Sequence, residues 1–148
     1  MNLDKAKLAI VMSEFNISIT NSMKDAAVKH FLSAGGETVN ISKINVPGAF
    51  EIPGAVSALI KKGDSDIIVT IGCIIEGETP HFDYIATETT RAIMNMIIKS
   101  NIPIGFGVLT TNNMKQAIER SGNNDSNKGK EAMIAALDMF CVYKEINS

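Results

Sequence analysis

The segment spanning residues 72–84, which reads GCIIEGETPHFDY, combines groups that could handle a phosphorylated substrate. It follows an apolar run, contains Gly77, and places a single histidine, His81, at the predicted start of a helix. A helix N-terminus offers unpaired N–H donors and positive dipole to an anion, and a glycine lets the backbone approach it. An imidazole can move protons near neutral pH. We therefore expect His81 to be catalytic, whereas His30, in the middle of a predicted helix, is expected to be structural.

Two other segments carry groups suited to a flat, hydroxylated ligand. Phe15 could stack on a heterocycle while Asn16 pairs with its edge; alternatively, Phe15 belongs to the core and Asn16 to a turn. Glu51 lies in a proline-bounded loop and could accept hydrogen bonds from a polyol. It could equally serve only to cap the helix that begins near Pro53. The residues alone leave both alternatives open.

A cation that could neutralise a phosphate is missing near His81. The segment is not a P-loop, because it lacks that motif's second glycine, lysine and Ser/Thr. Glu76 and Glu78 add negative charge, so backbone amides rather than their side chains would have to bind the anion. Arg120 and Lys128 flank a loop between two predicted helices and are candidate cations, although either could be a solvated helix-end charge.

Strands alternating with helices must position these residues. Apolar runs predict strands at residues 8–12, 38–46, 67–71 and 102–109, and helical periods predict helices at 21–34, 53–62, 81–100, 111–120 and around 132–140. Asn21 or Ser22 would cap the first helix, and Thr111 or Asn112 the fourth. Right-handed connections between such elements give an open parallel sheet with helices on both faces. Ligands then sit beyond the carboxyl ends of the strands.

Composition narrows the class of protein. The 148 residues are 45% hydrophobic, which is enough for one core, and we expect one domain spanning residues 1–148. A formal charge of −2 without a long basic run argues against a nucleic-acid partner. Cys73 and Cys141 show no metal-ligand spacing, so we expect neither a metal site nor a disulfide, and a cytoplasmic location. The sequence contains neither a signal peptide nor about 18 consecutive apolar residues, so we expect no membrane association.

Several blocks of the chain occur in one order that resembles a known family. These blocks are residues 15–16, 46–53, 72–84, 105–111, 116–120 and 127–129. Together they resemble the 6,7-dimethyl-8-ribityllumazine synthases, the family of enzymes that catalyses the penultimate step of riboflavin biosynthesis. The resemblance implies condensation of 5-amino-6-ribitylaminouracil with 3,4-dihydroxy-2-butanone 4-phosphate, without a cofactor. It also implies a flavodoxin-like α/β fold, a three-layer α/β/α sandwich with a four-stranded parallel sheet.

The resemblance further implies a role for each site residue, with His81 as the proton-transfer group. The pyrimidine and ribityl chain would be held by Phe15, Asn16, Ala49, Phe50, Glu51, Cys73, Ile74, Ile75 and Phe106. The phosphate would be held by the backbone amides of Glu78 and Thr79 and by Arg120 and Lys128. Family members build the site between adjacent subunits of a pentamer, so a neighbouring subunit would supply Phe106 and the missing cation.

The chain departs from the family pattern at three places, of which Glu76 bears on phosphate affinity and the short N-terminus on assembly. Glu76 stands where the family usually has a basic or neutral residue, and the loop 122–129 keeps its length but lacks one lysine and one glycine. The N-terminus is short where the family often adds a strand. We expect a pentamer, possibly packed into a sixty-subunit shell. The alternative function is a non-catalytic flavin- or lumazine-binding module, or a riboflavin synthase relative; His81 together with Arg120 favours the synthase.

Overall fold

A computed structural model describes residues 2–148 as strands and helices that alternate along the chain. The strands are β1 (Leu8–Ser13), β2 (Ile41–Val46), β3 (Ile67–Ile75) and β4 (Ile104–Thr111). The helices are α1 (Ile17–Ser33), α2 (Ile52–Lys62), α3 (His81–Lys99), α4 (Met114–Glu119) and α5 (Lys128–Ile146). Two short 3-10 turns, Thr38–Asn40 and Ala49–Glu51, flank β2.

The four strands form one parallel sheet in the order β2-β1-β3-β4. Leu8 of β1 lies opposite Ile41 of β2 on one side and Ile67 of β3 on the other. The chain therefore adds β2 on one side of β1, and then β3 and β4 on the other side. The boundary between β1 and β3 is where a doubly wound sheet opens a crevice at its carboxyl edge. This arrangement confirms the predicted α/β fold with helices on both faces.

Two apolar clusters cover the sheet and account for its nearly continuous hydrophobic strands. One face of β1, through Leu8 and Ile10, packs with α1, α4 and α5. The opposite face, through Ala9 and Val11, packs with α2 and α3. Because both faces are buried, every residue of β1 is buried, as expected for a central parallel strand. Among the helices of residues 2–148, none combines the length and apolar character needed to cross a bilayer.

The first helix begins earlier than predicted, and the predicted caps at Asn21 and Ser22 are wrong. Asn16 precedes α1 in the left-handed conformation, with φ 58° and ψ 47°. Its amide nitrogen donates to the carbonyl oxygen of Cys73 at 3.2 Å, so a contact with β3 fixes the turn. Asparagine is one of the few residues that adopt this conformation readily. Thr20 reinforces the start, because its hydroxyl donates to the Ser13 carbonyl oxygen at 2.8 Å.

The third strand is longer than predicted and reaches Ile75 rather than Ile71. Its pairing with β1 ends at Ile71, but its pairing with β4 continues until Ile75 lies opposite Thr111. Gly72 lies inside the strand, where an added Cβ would come within 3.0 Å of the Ile52 side chain. The loop before His81 is correspondingly short.

Candidate active site

A cavity of about 520 Å³ opens at the carboxyl edge of the sheet, where β1 and β3 separate. Its walls come from the segments that follow β1 and β2, from the end of β3, and from the start of α3. The lining residues are Phe15, Pro47, Gly48, Ala49, Phe50, Glu51, Cys73, Ile74, Ile75, Gly77, Thr79, His81, Phe82 and Ile85. Nine of the fourteen residues predicted for the site line this cavity: Phe15, Ala49, Phe50, Glu51, Cys73, Ile74, Ile75, Thr79 and His81.

Phe15 presents an aromatic ring to the cavity rather than to the core. Its side chain is 71% exposed, which excludes the core alternative for this residue. Its backbone is nevertheless fixed, because its N–H donates to the Pro47 carbonyl oxygen at 3.1 Å. Asn16 does not line the cavity; it supports the turn through its bond to Cys73. Phe15 therefore combines a backbone held by a hydrogen bond with an exposed ring, as stacking on a flat ligand requires.

The loop after β2 forms the second wall. Ala49 is buried, whereas Phe50 is 57% exposed and faces the same cavity. The carboxylate of Glu51 accepts a hydrogen bond from the Gly48 N–H at 3.0 Å, which closes the short 3-10 turn. Pro53 lies in the first turn of α2, as predicted. Glu51 therefore stabilises its own turn while remaining exposed at the cavity, so its carboxylate still has free acceptor sites.

The end of β3 supplies an open backbone edge. Residues beyond Ile71 have no registered partner on β1, although β4 still pairs with them on the other side. The Cys73 carbonyl oxygen already accepts a hydrogen bond from the Asn16 side chain. Alternate residues of a strand direct their N–H and C=O groups to the same edge, so Ile75 directs both toward the cavity. An unpaired N–H and C=O pair of this kind can bind the polar edge of a planar ring.

The Cys73 thiol lies at the same edge but is a poor nucleophile. Its side chain is buried, and burial raises the pKa of the thiol from 9.0 to about 11. The thiolate is the reactive form of cysteine, so Cys73 stays protonated and unreactive at neutral pH. Among residues 2–148, no group of three or more His, Cys, Asp and Glu side chains is arranged to hold a metal ion.

The loop of residues 76–80 combines free amides with His81. The Glu76 N–H donates to the Thr111 carbonyl oxygen at 2.9 Å, which ends the sheet pairing. Within residues 2–148, no hydrogen bond is made by the N–H groups of Gly77, Glu78 or Thr79. His81 is the first residue of α3, exposed and lining the cavity, as predicted. Free amides beside a helix N-terminus form a suitable place for an anion.

Besides Asn16, four predicted site residues lie outside this cavity. Glu78 belongs to the loop between Gly77 and Thr79, which line the cavity, but does not line it itself. Phe106 lies on the edge strand β4, partly buried against the α2 and α3 face. Arg120 ends α4 and is exposed; Lys128 begins α5, and its ammonium lies 3.3 Å from the Glu131 carboxylate. Arg120 and Lys128 are neighbours, since the Lys128 N–H donates to the Arg120 carbonyl oxygen at 2.8 Å.

Sequence reasoning missed the apolar floor formed by Phe82 and Ile85. Both are only partly exposed, because they also pack against the apolar cluster on the α2 and α3 face of the sheet. The signal that could have revealed them is their position in the first turn after His81, on the side that faces the sheet. They give the cavity a hydrophobic base beneath its polar rim, the usual character of a small-molecule site.

The fold and the site together define a class: a doubly wound α/β protein with a small-molecule-sized cavity at its topological switch point and a histidine beside it. Comparison with known proteins narrows this class. The family model described as 6,7-dimethyl-8-ribityllumazine synthase matches residues 5–144. The chain therefore belongs to the 6,7-dimethyl-8-ribityllumazine synthase family.

Relatives named 6,7-dimethyl-8-ribityllumazine synthase match this chain over nearly their full length. A 6,7-dimethyl-8-ribityllumazine synthase of Nautilia profundicola is 47% identical over 140 residues, covering 95% of this chain and 91% of the relative. One of Campylobacter jejuni is 46% identical over 147 residues, covering 99% of this chain and 96% of the relative. One of Campylobacter curvus is 44% identical over 144 residues, covering 97% and 92%. These similarities favour an enzyme over a non-catalytic binding module.

Proposed function

We propose that this protein condenses 5-amino-6-ribitylaminouracil with 3,4-dihydroxy-2-butanone 4-phosphate to give 6,7-dimethyl-8-ribityllumazine. The observation that carries the proposal is the cavity at the switch point, in a chain that belongs to the synthase family. That cavity sets an exposed ring, an open strand edge and a histidine around one space. Residues 1–148 would act as one domain, and the free cysteines Cys73 and Cys141 fit a cytoplasmic location.

Each wall matches one part of the pyrimidine substrate. The exposed Phe15 ring would stack on the pyrimidine, and the backbone of Ile75 would pair with its polar edge. The loop containing Phe50 and Glu51 would bind the ribityl chain, with the free acceptor sites of the carboxylate receiving its hydroxyl protons. Asn16 would act indirectly, by holding Phe15 against the end of β3.

The ketone phosphate would bind at the loop before α3. The free N–H groups of Glu78 and Thr79 and the α3 N-terminus offer donors, but no Lys or Arg lines the cavity of residues 2–148. A phosphate bound only by amides, in a loop that also carries Glu76 and Glu78, would lack charge compensation. We infer that Arg120 and Lys128 of a neighbouring subunit complete this site, with Phe106 closing its wall.

The reaction needs proximity and one group that moves protons. The amine of the uracil adds to the ketone, and loss of water gives an imine; elimination releases phosphate. The second amine then closes the ring with loss of a further water. His81 stands where the proton transfers of these steps would occur, next to the free amides. Holding two reactants together supplies much of the acceleration, and one acid/base contributes about 10²- to 10⁴-fold.

The direct test mixes the protein with both substrates and follows lumazine fluorescence and released phosphate. His81→Ala should fold normally and turn over roughly 10- to 10³-fold more slowly, because proximity still operates. His30→Ala, a change at a half-buried residue of α1 outside the cavity, is the matched control. Absence of lumazine from the unmodified protein would refute the function. Equal rates for the two variants, with chemistry rate-limiting, would remove only His81 from the mechanism.

We further propose a pentamer, with a sixty-subunit shell as its larger assembly. Apolar side chains on α3 and beside the cavity are exposed in the isolated chain, including Phe50, Tyr84, Met94 and Ile98. Large apolar side chains left exposed along one helix support a subunit interface there. Light scattering and native mass measurement test the assembly, and a monomer fully active at high dilution would overturn it.

Mixed oligomers test whether the site is shared. Arg120→Ala should weaken use of the phosphorylated ketone by about 1.5 to 3 kcal/mol, with Lys115→Ala on the same helix as control. When His81→Ala and Arg120→Ala subunits are co-expressed in equal amounts, about one quarter of sites between subunits regain both groups. Activity above the mean of the two parents is expected at low ketone concentration. Activity equal to that mean would show that each chain carries its own complete site.

A further inference from the structure

The side chain of Asn127 lies at the junction of α4 and α5 and uses all of its hydrogen-bonding capacity there. It is only 1% exposed. Its Nδ2 donates to the carbonyl oxygens of Ser121, at 2.9 Å, and Gly122, at 3.0 Å. Its Oδ1 accepts from the N–H groups of Gly129, at 2.9 Å, and Lys130, at 3.1 Å. One amide therefore joins the end of one helix to the start of the next.

The two cations proposed for the phosphate stand on either side of this junction. Arg120 immediately precedes Ser121, and Lys128 immediately follows Asn127. The Lys128 N–H also donates to the Arg120 carbonyl oxygen at 2.8 Å, so the two backbones touch. The intervening residues 123–126 are all exposed, so burial does not hold this part of the loop in place.

Further bonds anchor the α4 side of the junction to buried parts of the molecule. The Ser121 hydroxyl donates to the Ala117 carbonyl oxygen at 2.8 Å, and the Ser22 hydroxyl of α1 donates to the Ser121 carbonyl. The Ser121 carbonyl thus receives both Ser22 and Asn127. On the other side, Gly129 packs so closely on α1 that an added Cβ would overlap the Met23 backbone. Asn127 links two anchored elements whose exposed ends carry positive charge.

We propose that Asn127 is a positioning residue that fixes the separation of Arg120 and Lys128 for the substrate phosphate. This inference rests on the proposed role of those two cations. A phosphate dianion gains most from two cations whose backbones are already in place, because ordering them on binding would cost free energy. The part of Asn127 that does this is its Nδ2, since the Oδ1 only caps α5.

Isosteric replacement separates these two roles. Asn127→Asp keeps an oxygen that caps α5, and aspartate is as good an N-cap as asparagine, but it has no donor for the Ser121 and Gly122 carbonyls. Asn127→Ser is the second variant, because it keeps a neutral capping oxygen if the aspartate prevents folding. Asn123→Asp is the matched control, since it adds the same charge in the same loop at an exposed position.

Steady-state kinetics with each substrate varied separately give the readout. We expect both Asn127 variants to raise KM for the phosphorylated ketone about 10-fold while kcat and KM for the pyrimidine change less than about twofold. We expect Asn123→Asp to change none of these constants by more than about twofold. Lower resistance to urea with unchanged KM for the ketone, in whichever Asn127 variant folds, would overturn the inference and leave Asn127 structural.

A double-mutant cycle with Arg120→Ala distinguishes failure of this inference from failure of the proposed site. If Asn127 acts through the cations, Asn127→Ser should raise KM for the ketone by a smaller factor in the Arg120→Ala background than in the natural chain. Equal factors in both backgrounds would overturn the positioning role. If Arg120→Ala itself leaves KM for the ketone unchanged, the phosphate assignment has failed independently of Asn127.

Discussion

Replacing Phe15 with alanine should weaken pyrimidine binding while leaving the free energy of unfolding nearly unchanged. The ring is 71% exposed at the cavity mouth, so its removal uncovers little core. A phenylalanine side chain offers roughly 200 Å² of surface. If a stacked ring covers half of the exposed part, about 70 Å² leaves water on binding, worth about 1.8 kcal/mol at about 25 cal/mol per Å². This corresponds to about a 20-fold weaker Kd.

Fluorescence titration with 6,7-dimethyl-8-ribityllumazine measures this Kd, and urea denaturation measures the unfolding free energy. Phe15→Tyr keeps the stacking face and should bind nearly as well as the natural chain. Val39→Ala changes a residue that is 84% exposed and outside the cavity, and it should affect neither quantity.

Two results would refute the reasoning on Phe15. An unchanged Kd for Phe15→Ala in a normally assembled protein would mean that the ring does not stack on the ligand. A loss of more than about 2 kcal/mol of unfolding free energy would mean that the ring is buried in the assembled protein, because only buried aromatic rings contribute that much.

Three further predictions concern stability, pH and the ribityl chain. Gly129→Ala should cost about 1 to 3 kcal/mol or more in urea denaturation, since the new methyl overlaps the α1 backbone; normal stability would contradict that close contact. Burial raises the pKa of the Cys73 thiol to about 11, so the unfolded chain loses this proton at lower pH, and unfolding free energy should fall between about pH 9 and 11. Cys73→Ala should flatten that fall, and a slope identical to the natural chain's would exclude Cys73 as its source. Glu51→Gln should keep the turn closed by Gly48 but raise KM for the ribityl substrate about 3- to 10-fold, with KM for a pyrimidine lacking the ribityl chain unchanged; equal effects on both would assign Glu51 to the turn alone.

Much of the site is predictable because the sequence encodes it locally. The apolar run at residues 67–71 predicts a strand, and the helical period that follows His81 predicts a helix with His81 at its start. Residues that directly follow parallel strands must meet at one edge of the sheet. For this reason Phe15, Glu51 and His81 could be grouped before their distances were known, and the structure places all three around one cavity.

The remaining features depend on contacts between distant segments, which no local pattern records. Asn16 starts α1 in a left-handed conformation because its amide reaches the Cys73 carbonyl, and β3 extends to Ile75 because β4 keeps pairing with it. Whether Phe15 is core or exposed is likewise decided by what packs over it. Asn127 reads as an ordinary loop residue until two helix ends converge on its amide. Local sequence therefore determined which segments meet at the cavity, whereas tertiary packing decided which of their groups line it and which are already bonded to the protein's own backbone.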